Sequence, residues 1–278
     1  MLTRCFPLSC HRVPSCLVLV VGLLWSQSLL AASLGGHSPD TDSPAENIDL
    51  RPRFKKWGLG PRVQGKRGTC SVFAVAGALE YALATKRCRG TQLSIDYLNW
   101  ASNQALGEME DGSFFSDLWQ GFTIHGACPE QDMPYQDTFD PKRTPSEQAK
   151  AHARQMLEIG CRLHWIKQWD PNTGLTEKQL VAIKQVLRQQ WPVCGGFRWP
   201  KKPVQWKDDI LEMPPPEGVI DGHSVLLVGY RDDPEQSGGG VFVFRNSNRH
   251  GLEGYMTYEY ASAYMNDAVW IGRASITE

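Results

Sequence analysis

The sequence lacks an excess of charge of either sign, because 29 Lys and Arg residues nearly balance 30 Asp and Glu residues. This balance argues against a general nucleic-acid binder, whose phosphate contacts need a basic surface. The sequence also lacks a long apolar run: residues 16–25 are the uninterrupted stretch near its start, and ten residues are too few to cross a ~30 Å hydrocarbon core as a helix. These absences exclude a polytopic membrane protein.

Residues beyond position 32 contain no pair of Cys or His at the C-x-x-C or H-x-x-x-H spacing that zinc ligands favour, so neither a metal nor another cofactor is expected. Five of the eight cysteines lie there: Cys70, Cys88, Cys128, Cys161 and Cys194. An odd number in an exported chain leaves at least one thiol without an intramolecular partner. If Cys70 is that thiol, the other four allow three pairings, and the sequence does not choose among them.

The order of residues at the start of the chain is that of a signal peptide. Arg4 and Arg12 precede the apolar run, small residues follow at 31–33, and no acid occurs in the first 32 positions. We therefore predict a signal peptide over 1–32, a flexible Gly/Ser/Pro spacer over 33–48 and one catalytic domain over 49–278. This order predicts a secreted or periplasmic protein without stable membrane insertion once the leader is removed; an uncleaved anchor is the alternative.

Apolar periodicity changes from 3.6 to 2 along the chain. Three helices are predicted over 70–86, 94–103 and 113–125. A fourth helix is predicted after an N-cap at Thr144 with Pro145 in its first turn, and a fifth after a capping box formed by Thr176 and Gln179. Strands are predicted over 193–199, 223–230, 241–247, 254–260 and 269–276, with a hairpin turn at 238–240. A helical first half and an antiparallel second half predict an α+β fold with two facing lobes.

Four polar residues far apart in sequence suggest nucleophilic catalysis. A thiol at a helix start, as expected for Cys70, has its thiolate stabilised by free backbone N–H groups, and an imidazolium nearby lowers its pKa further. His223 at a strand would exchange protons with that thiol, and Asn246 would orient the imidazole. Gln64 would donate an N–H to a developing oxyanion beside the Cys70 backbone N–H. The basic residues just before the nucleophile, Arg62, Lys66 and Arg67, are interpreted as a solvated face; the alternative is that they bias the cleft toward acidic substrates.

These motifs resemble the papain-like (C1) cysteine peptidases over about residues 49–278. The residues that match the family pattern Q-G-x-C-G-x-C-W-A-F are Gln64, Gly65, Gly68, Cys70, Phe73 and Ala74. Other family landmarks follow in order: Leu93-Ser94, Pro134-Tyr135, His223, Asn246-Ser247 and Gly254-Tyr255. The resemblance implies a two-lobed papain-like fold, with a helical lobe, a barrel-like antiparallel sheet lobe and the active-site cleft between them. It also implies Cys70 as nucleophile, His223 as base and acid, Asn246 as orienting residue and Gln64 as oxyanion donor.

The chain departs from the family at several positions. Arg67 replaces a cysteine, and the segment Asp111-Gly112-Ser113 stands where the family has a Cys-rich Gly-Gly segment lining the substrate cleft. The usual disulfides therefore cannot form. The four cysteines other than Cys70 are expected to have another role, such as forming two different bridges. Asn248 replaces a tryptophan that shields the His–Asn hydrogen bond, which predicts a less firmly oriented His223. The segment from Ser33 to about Asn47 is too short and too polar to be the helical inhibitory pro-region that is typical of the family.

The function predicted from the sequence is that of a secreted cysteine peptidase that cleaves peptides or proteins through a thioester on Cys70. One alternative is a papain-like binding or scaffold module with little or no activity. Another is an amidase or transpeptidase that acts on a cell-envelope polymer through the same thiol. The sequence predicts no nucleic-acid partner and leaves the oligomeric state open.

Overall fold

The computed structural model describes residues 47–248 and 252–273, so the predicted leader and nearly all of the predicted spacer lie outside the described part. The α-helices in this part are α1 (Arg51–Lys56), α2 (Cys70–Arg87), α3 (Ile95–Leu106), α4 (Phe115–His125), α5 (Glu147–Leu157), α6 (Glu177–Arg188) and α7 (Tyr258–Tyr264). The strands are β1 (Asn47–Asp49), β2 (Cys161–Lys167), β3 (Val193–Pro200), β4 (Trp206–Lys207), β5 (Ile210–Leu211), β6 (Val219–Asp232), β7 (Gly240–Arg245), β8 (Glu253–Thr257) and β9 (Met265–Arg273).

These strands form one sheet in the order β2-β9-β3-β6-β7-β8-β5-β4, with β1 paired to β6 beside this path. The pairings are antiparallel except that of β5 with β8. Within the described residues the sheet is not closed, because its outer strands β2 and β4 do not pair with each other. Helices α2 to α5 precede strands β2 to β9 in the chain, and the predicted α+β fold is confirmed.

Helix α2 lies at the centre of the molecule and carries Cys70 to the sheet. It begins at Cys70, as predicted, and Cys88 stops it in the left-handed region at φ 54°. The helix packs against β6, β3 and β9 on one side and against α3 and α4 on another. Gly77 permits this close approach, since a Cβ there would lie 2.9 Å from Cδ2 of Leu226. The first turn of α2 is thereby fixed against the lobe that carries His223.

The start of α5 differs from the prediction. Its N-cap is Ser146, whose hydroxyl accepts the Ala149 backbone N–H at 3.1 Å, and Pro145 precedes the helix instead of occupying its first turn. Ser146 has the extended backbone of an N-cap and sits the correct number of residues before Ala149, so it takes the place predicted for Thr144. The capping box between Thr176 and Gln179 is confirmed at α6.

The predicted strand over 254–260 is too long. It ends at Thr257, whose hydroxyl accepts the Tyr260 backbone N–H at 3.1 Å and so caps helix α7. This hydrogen bond starts a helix where the pattern of large side chains suggested continued alternation. At the other end of the described chain, Asn47 and Ile48 belong to strand β1, although the sequence analysis assigns them to the spacer.

The expected disulfides are absent from the described residues, where all five cysteines are free thiols. Cys128 lies in a small cluster with Tyr97 and Met133, whereas Cys194 lies in the main core, with its Sγ 3.4 Å from the Ala74 carbonyl oxygen. Cys88 is exposed after helix α2. The prediction of two bridges is therefore wrong for the described residues, where Cys128 and Cys194 lie in separate hydrophobic clusters and Cys88 is exposed.

Candidate active site

Cys70 occupies the first residue of α2, and its N-cap Thr69 supplies no side-chain hydrogen bond to the helix start. The first turn carries no acidic side chain, so its backbone N–H groups face the thiol without competition from a carboxylate. The Cys70 Sγ lies 3.8 Å from the carbonyl oxygen of Gly222, the residue before His223. Burial raises the pKa of the Cys70 thiol, and the backbone N–H groups of Ser224 and Ser71 only partly oppose it. This direction is opposite to the one predicted from the helix position.

His223 lies on β6, and its Nε2 is 2.9 Å from Oδ1 of Asn246, which follows β7. The same Oδ1 also accepts the backbone N–H groups of Ser247 at 2.8 Å and Asn248 at 3.2 Å. Two backbone donors identify this atom as the oxygen of the carboxamide, which has no proton to give. Nε2 therefore carries the proton in the neutral imidazole, and Nδ1 keeps its lone pair.

The His223 ring is also covered by an indole. Its centroid lies 4.5 Å from that of Trp199 on β3, and Trp199 is itself buried. Burial lowers the pKa of His223, while the hydrogen bond with Asn246 raises it to a smaller extent. The imidazole is thus held in a fixed orientation and favours its neutral form.

Cys70 and His223 line one cleft between the helical lobe and the sheet, with a volume of about 400 Å³. The predicted substrate-binding residues Asp111, Gly112 and Ser113 line the same cleft. The Asp111 carboxylate accepts from Arg67 Nη2 at 2.8 Å, and the Gly112 backbone N–H donates to Asn99 at 2.8 Å. The segment therefore forms a fixed wall whose carboxylate is already paired.

Gln64 lies before the helix but is tied to neighbouring chain segments. Its Nε2 donates to the Arg67 carbonyl oxygen at 2.7 Å, and its Oε1 accepts from the Ser247 hydroxyl. Its backbone N–H donates to the Ser247 carbonyl oxygen at 2.8 Å, next to Asn246. A carboxamide has a second N–H, so oxyanion donation from Gln64 stays a prediction.

Comparison with known families agrees with this geometry. Residues 45–270 match the family model of papain family cysteine proteases. The chain belongs to the papain family. It is 26% identical over 217 residues to Cathepsin J of Rattus norvegicus, covering 74% of this chain and 59% of that protein. For Cathepsin J of Mus musculus the identity is 26% over 228 residues, with coverages of 78% and 63%. The chain thus spans about six-tenths of the length of these curated relatives.

Solved structures with the papain-like fold are similar to this one. Xylellain, a cysteine protease from Xylella fastidiosa, has a TM-score of 0.61 at 24% identity, covering 82% of this chain and 86% of its own. Digestive procathepsin L 3 of Tenebrio molitor has a TM-score of 0.57 at 18% identity, with coverages of 84% and 72%. At these identities the similarity shows a shared fold.

Two features of this papain family member were not predicted from its sequence. Trp199 on β3 contacts the His223 ring, with the two ring centroids 4.5 Å apart, whereas the effect of Asn248 on the His223–Asn246 hydrogen bond stays a prediction. Arg67 is buried and paired with Asp96 at 2.6 Å and with Asp111 at 2.8 Å, so its interpretation as part of a solvated face is wrong. The sequence showed that Arg67 replaces a family cysteine, which marks position 67 as unusual. It did not show the acidic partners of Arg67, because they are distant in sequence.

Two further findings hold for the described residues. No group of three or more His, Cys, Asp or Glu side chains is arranged to hold a metal ion. No described helix combines the length and the apolar character that crossing a membrane requires.

Proposed function

We propose that this papain family member is an exported cysteine peptidase that hydrolyses peptide bonds through Cys70, His223 and Asn246. The observation that carries the proposal is the hydrogen bond between His223 Nε2 and Asn246 Oδ1, with Cys70 on the same cleft. It leaves the His223 Nδ1 lone pair available to accept a proton from the thiol. Because the chain spans only part of its curated relatives, activity, substrate and compartment are proposals for this protein.

In the proposed reaction, His223 Nδ1 takes the thiol proton while the Cys70 sulfur attacks the peptide carbonyl carbon. The resulting oxyanion accepts hydrogen bonds from the Cys70 backbone N–H and from Gln64. The C–N bond then breaks, the amine leaves with the proton from His223, and a thioester remains on Cys70. Water attacks the thioester after giving a proton to His223, which returns that proton to the sulfur as the acid product leaves.

The protonation states of Cys70 and His223 affect the rate of this reaction. Burial favours the neutral thiol of Cys70 and the neutral imidazole of His223. A thiolate–imidazolium pair therefore forms only through the mutual attraction of the two groups and the N–H groups at the start of α2. We therefore expect the activity to depend on proton transfer from Cys70 to His223.

The test is covalent labelling of the folded protein with a thiol-reactive peptidyl epoxide, with the site mapped by mass spectrometry. Stoichiometric labelling of Cys70 is expected, with none in Cys70→Ala and at least a tenfold slower reaction in His223→Ala. The matched control is Cys88→Ser, which removes an exposed thiol and should leave labelling unchanged. Absence of labelling at Cys70 in folded protein would favour the scaffold alternative.

The products of the reaction distinguish a peptidase from an enzyme that acts on a cell-envelope polymer. Profiling the peptides released from a mixture of unfolded proteins should give cleavage that is lost in Cys70→Ala. Release of fragments only from envelope polymer would favour the amidase or transpeptidase alternative. Export is tested separately by determining the N-terminus of the mature protein, which should lie close to residue 33.

A further inference from the structure

The segment between α1 and α2 carries both groups that would bind the oxyanion in the proposed reaction, Gln64 and the Cys70 backbone N–H. The part from 64 to 69 lies outside the described helices and strands, so its shape depends largely on contacts made by side chains. One side chain from another part of the chain, that of Tyr135, contacts three residues of this part: Gln64, Arg67 and Thr69.

The Tyr135 hydroxyl joins the two ends of the segment 64–69. Its oxygen lies 2.8 Å from the backbone oxygen of Gln64 and 2.8 Å from Oγ1 of Thr69, the residue before Cys70. A carbonyl oxygen only accepts, so the Tyr135 hydroxyl donates its single proton to Gln64. The Thr69 hydroxyl is therefore the donor to Tyr135. Burial raises the pKa of Tyr135, which keeps the phenolic proton in place at neutral pH.

The hydrogen bond with Tyr135 explains an irregularity at the start of α2. Thr69 is the N-cap residue, and a threonine at that position usually accepts a backbone N–H of the first turn. Here the Thr69 side chain makes no capping hydrogen bond, because its hydroxyl is directed to Tyr135. Thr69 contributes the carbonyl of the planar peptide group that ends in the Cys70 N–H, so a fixed Thr69 limits the movement of that N–H.

The Tyr135 ring holds the middle of the segment. The guanidinium carbon of Arg67 lies 4.5 Å from the ring centroid, and the ring of Phe73 on α2 contacts it edge to face at 5.2 Å. The Arg67 carbonyl oxygen in turn accepts from Gln64 Nε2 at 2.7 Å. The Gln64 carboxamide is therefore connected to Tyr135 both through its own backbone and through Arg67.

The backbone around Tyr135 is held by two carboxylates. The Tyr135 N–H donates to Glu130 Oε1 at 2.7 Å, and the N–H of Gln136 donates to Asp96 Oδ2 at 3.1 Å. The Gln136 carbonyl oxygen also accepts from Arg67 Nη1 at 2.7 Å. Because its own backbone is fixed, Tyr135 can restrain the segment 64–69 instead of moving with it.

We propose that Tyr135 is a positioning residue that sets the separation between the Gln64 carboxamide and the Cys70 backbone N–H, so that both can reach one oxyanion. The inference rests on the proposed function, since it names a residue that acts on the donors of the same site. Tyr135 does not line the described cleft. Its hydroxyl should therefore affect the formation of the oxyanion and leave the binding of the substrate unchanged.

The first experiment compares peptide cleavage by the wild-type protein and by Tyr135→Phe, which keeps the ring and removes both hydrogen bonds of the hydroxyl. We expect kcat to fall at least about tenfold, while KM changes less than about twofold. The matched control is Tyr97→Phe, which removes a hydrogen bond from α3 to the His125 backbone oxygen and should leave kcat unchanged. A kcat of Tyr135→Phe within about twofold of the wild-type value would overturn the proposal.

A second measurement separates the oxyanion from the reactivity of the sulfur. When a peptide aldehyde adds to Cys70, a C–S bond forms, the thiol proton passes to the aldehyde oxygen, and that oxygen occupies the place of the oxyanion. Alkylation by iodoacetamide also forms a C–S bond, with loss of iodide and of the thiol proton, but it creates no oxyanion. In Tyr135→Phe the aldehyde inhibition constant should rise at least about tenfold, and the alkylation rate at neutral pH should change less than about twofold. Equal losses in both reactions would indicate a general structural defect and contradict the proposal.

Two further variants test whether Tyr135 acts through the oxyanion donors. Thr69→Val removes the other hydroxyl at nearly constant volume and should lower kcat by at least about threefold. In a Gln64→Ala background, Tyr135→Phe should lower kcat by less than about threefold, because one of the donors that it positions is already absent. The full loss in that background, or a Thr69→Val variant with wild-type kcat, would show that Tyr135 does not act through these residues.

The positioning role and the proposed function fail in different ways. Cleavage by the wild-type protein with an equal kcat in Tyr135→Phe would overturn the positioning role and leave the peptidase intact. A folded wild-type protein that neither cleaves peptides nor is labelled at Cys70 by the epoxide would overturn the peptidase, and the positioning role with it.

Discussion

The two walls of the cleft treat buried charge in opposite ways. On the helical wall, Arg67 is enclosed between Asp96 and Asp111, and its guanidinium lies 4.5 Å above the ring of Tyr135. On the sheet wall, Asp267 is as buried as Arg67 but has no ion-pair partner in the described chain. Removing one partner of a buried ion pair is costly, whereas a buried charge without an ion-pair partner itself raises the free energy of the folded state.

The comparison assigns different tasks to the two walls. The Arg67 cluster connects the segment before Cys70 to helix α3 and to the segment at 111–113, so it fixes these three parts of the helical wall to one another. On the sheet wall, Gly196 leaves room for the Asp267 carboxylate, since a Cβ at Gly196 would lie 2.1 Å from Oδ1 of Asp267. Substitutions that remove the charge should therefore change the free energy of unfolding with opposite sign at the two walls.

The largest effect is expected when the paired wall is broken with Arg67→Met. Removing the guanidinium leaves the buried Asp96 and the half-buried Asp111 without this partner, and Arg143 compensates only Asp96. The free energy of unfolding should fall by about 3–5 kcal/mol, as measured by denaturant titration at neutral pH. The matched control is Lys150→Met, which removes a solvent-exposed ion pair with Glu147 and should cause no measurable change. A loss below about 1 kcal/mol in Arg67→Met would mean that the cluster does not stabilise this wall.

A smaller effect of opposite sign is expected for Asp267→Asn. The pKa of Asp267 is raised to about 6 in the folded protein, above its ordinary value of about 3.9 in an unfolded chain. The charged form is thus disfavoured by folding, and replacing it with an amide should raise the free energy of unfolding by about 1–3 kcal/mol at pH 7.5.

The pH dependence checks the sign of this prediction. The gain should be constant above the folded pKa, shrink as the pH falls from about 6 to 4, and vanish below, where the carboxyl is neutral in both states. Denaturant titrations of both proteins at several pH values measure it, and Asp208→Asn should show no such profile. Destabilisation of Asp267→Asn at pH 7.5 would place Asp267 with the structural charges of the other wall.

The sequence predicted those parts of the fold that depend on local signals. The start of α2 at Cys70 follows from Ala-rich sequence after a turn, and the hairpin at 238–240 follows from three glycines. Two errors in the predicted elements also have local causes. Ser146, and not Thr144, caps α5, and Thr257 begins a helix inside a predicted strand.

The candidate site was predicted less completely, because much of it depends on contacts across the sheet. His223 and Asn246 meet as expected from the family pattern, and their hydrogen bond is present. Trp199 reaches His223 only because β3 pairs with β6, and Asp267 faces the cleft only through the register of β9 with β3. No motif or spacing in the sequence contains that register.

The smallest effect is expected from chemical reduction, which distinguishes ionic from covalent support of the helical wall. The described domain has no disulfide, and the place of a family cysteine is taken by Arg67 within its ion cluster. Losing a native disulfide costs about 2–5 kcal/mol, or several degrees of melting temperature at this chain length. Excess dithiothreitol should therefore shift the melting temperature by less than about 1 °C, measured by calorimetry. A drop of several degrees would show that a disulfide, and not the ion cluster alone, supports this fold.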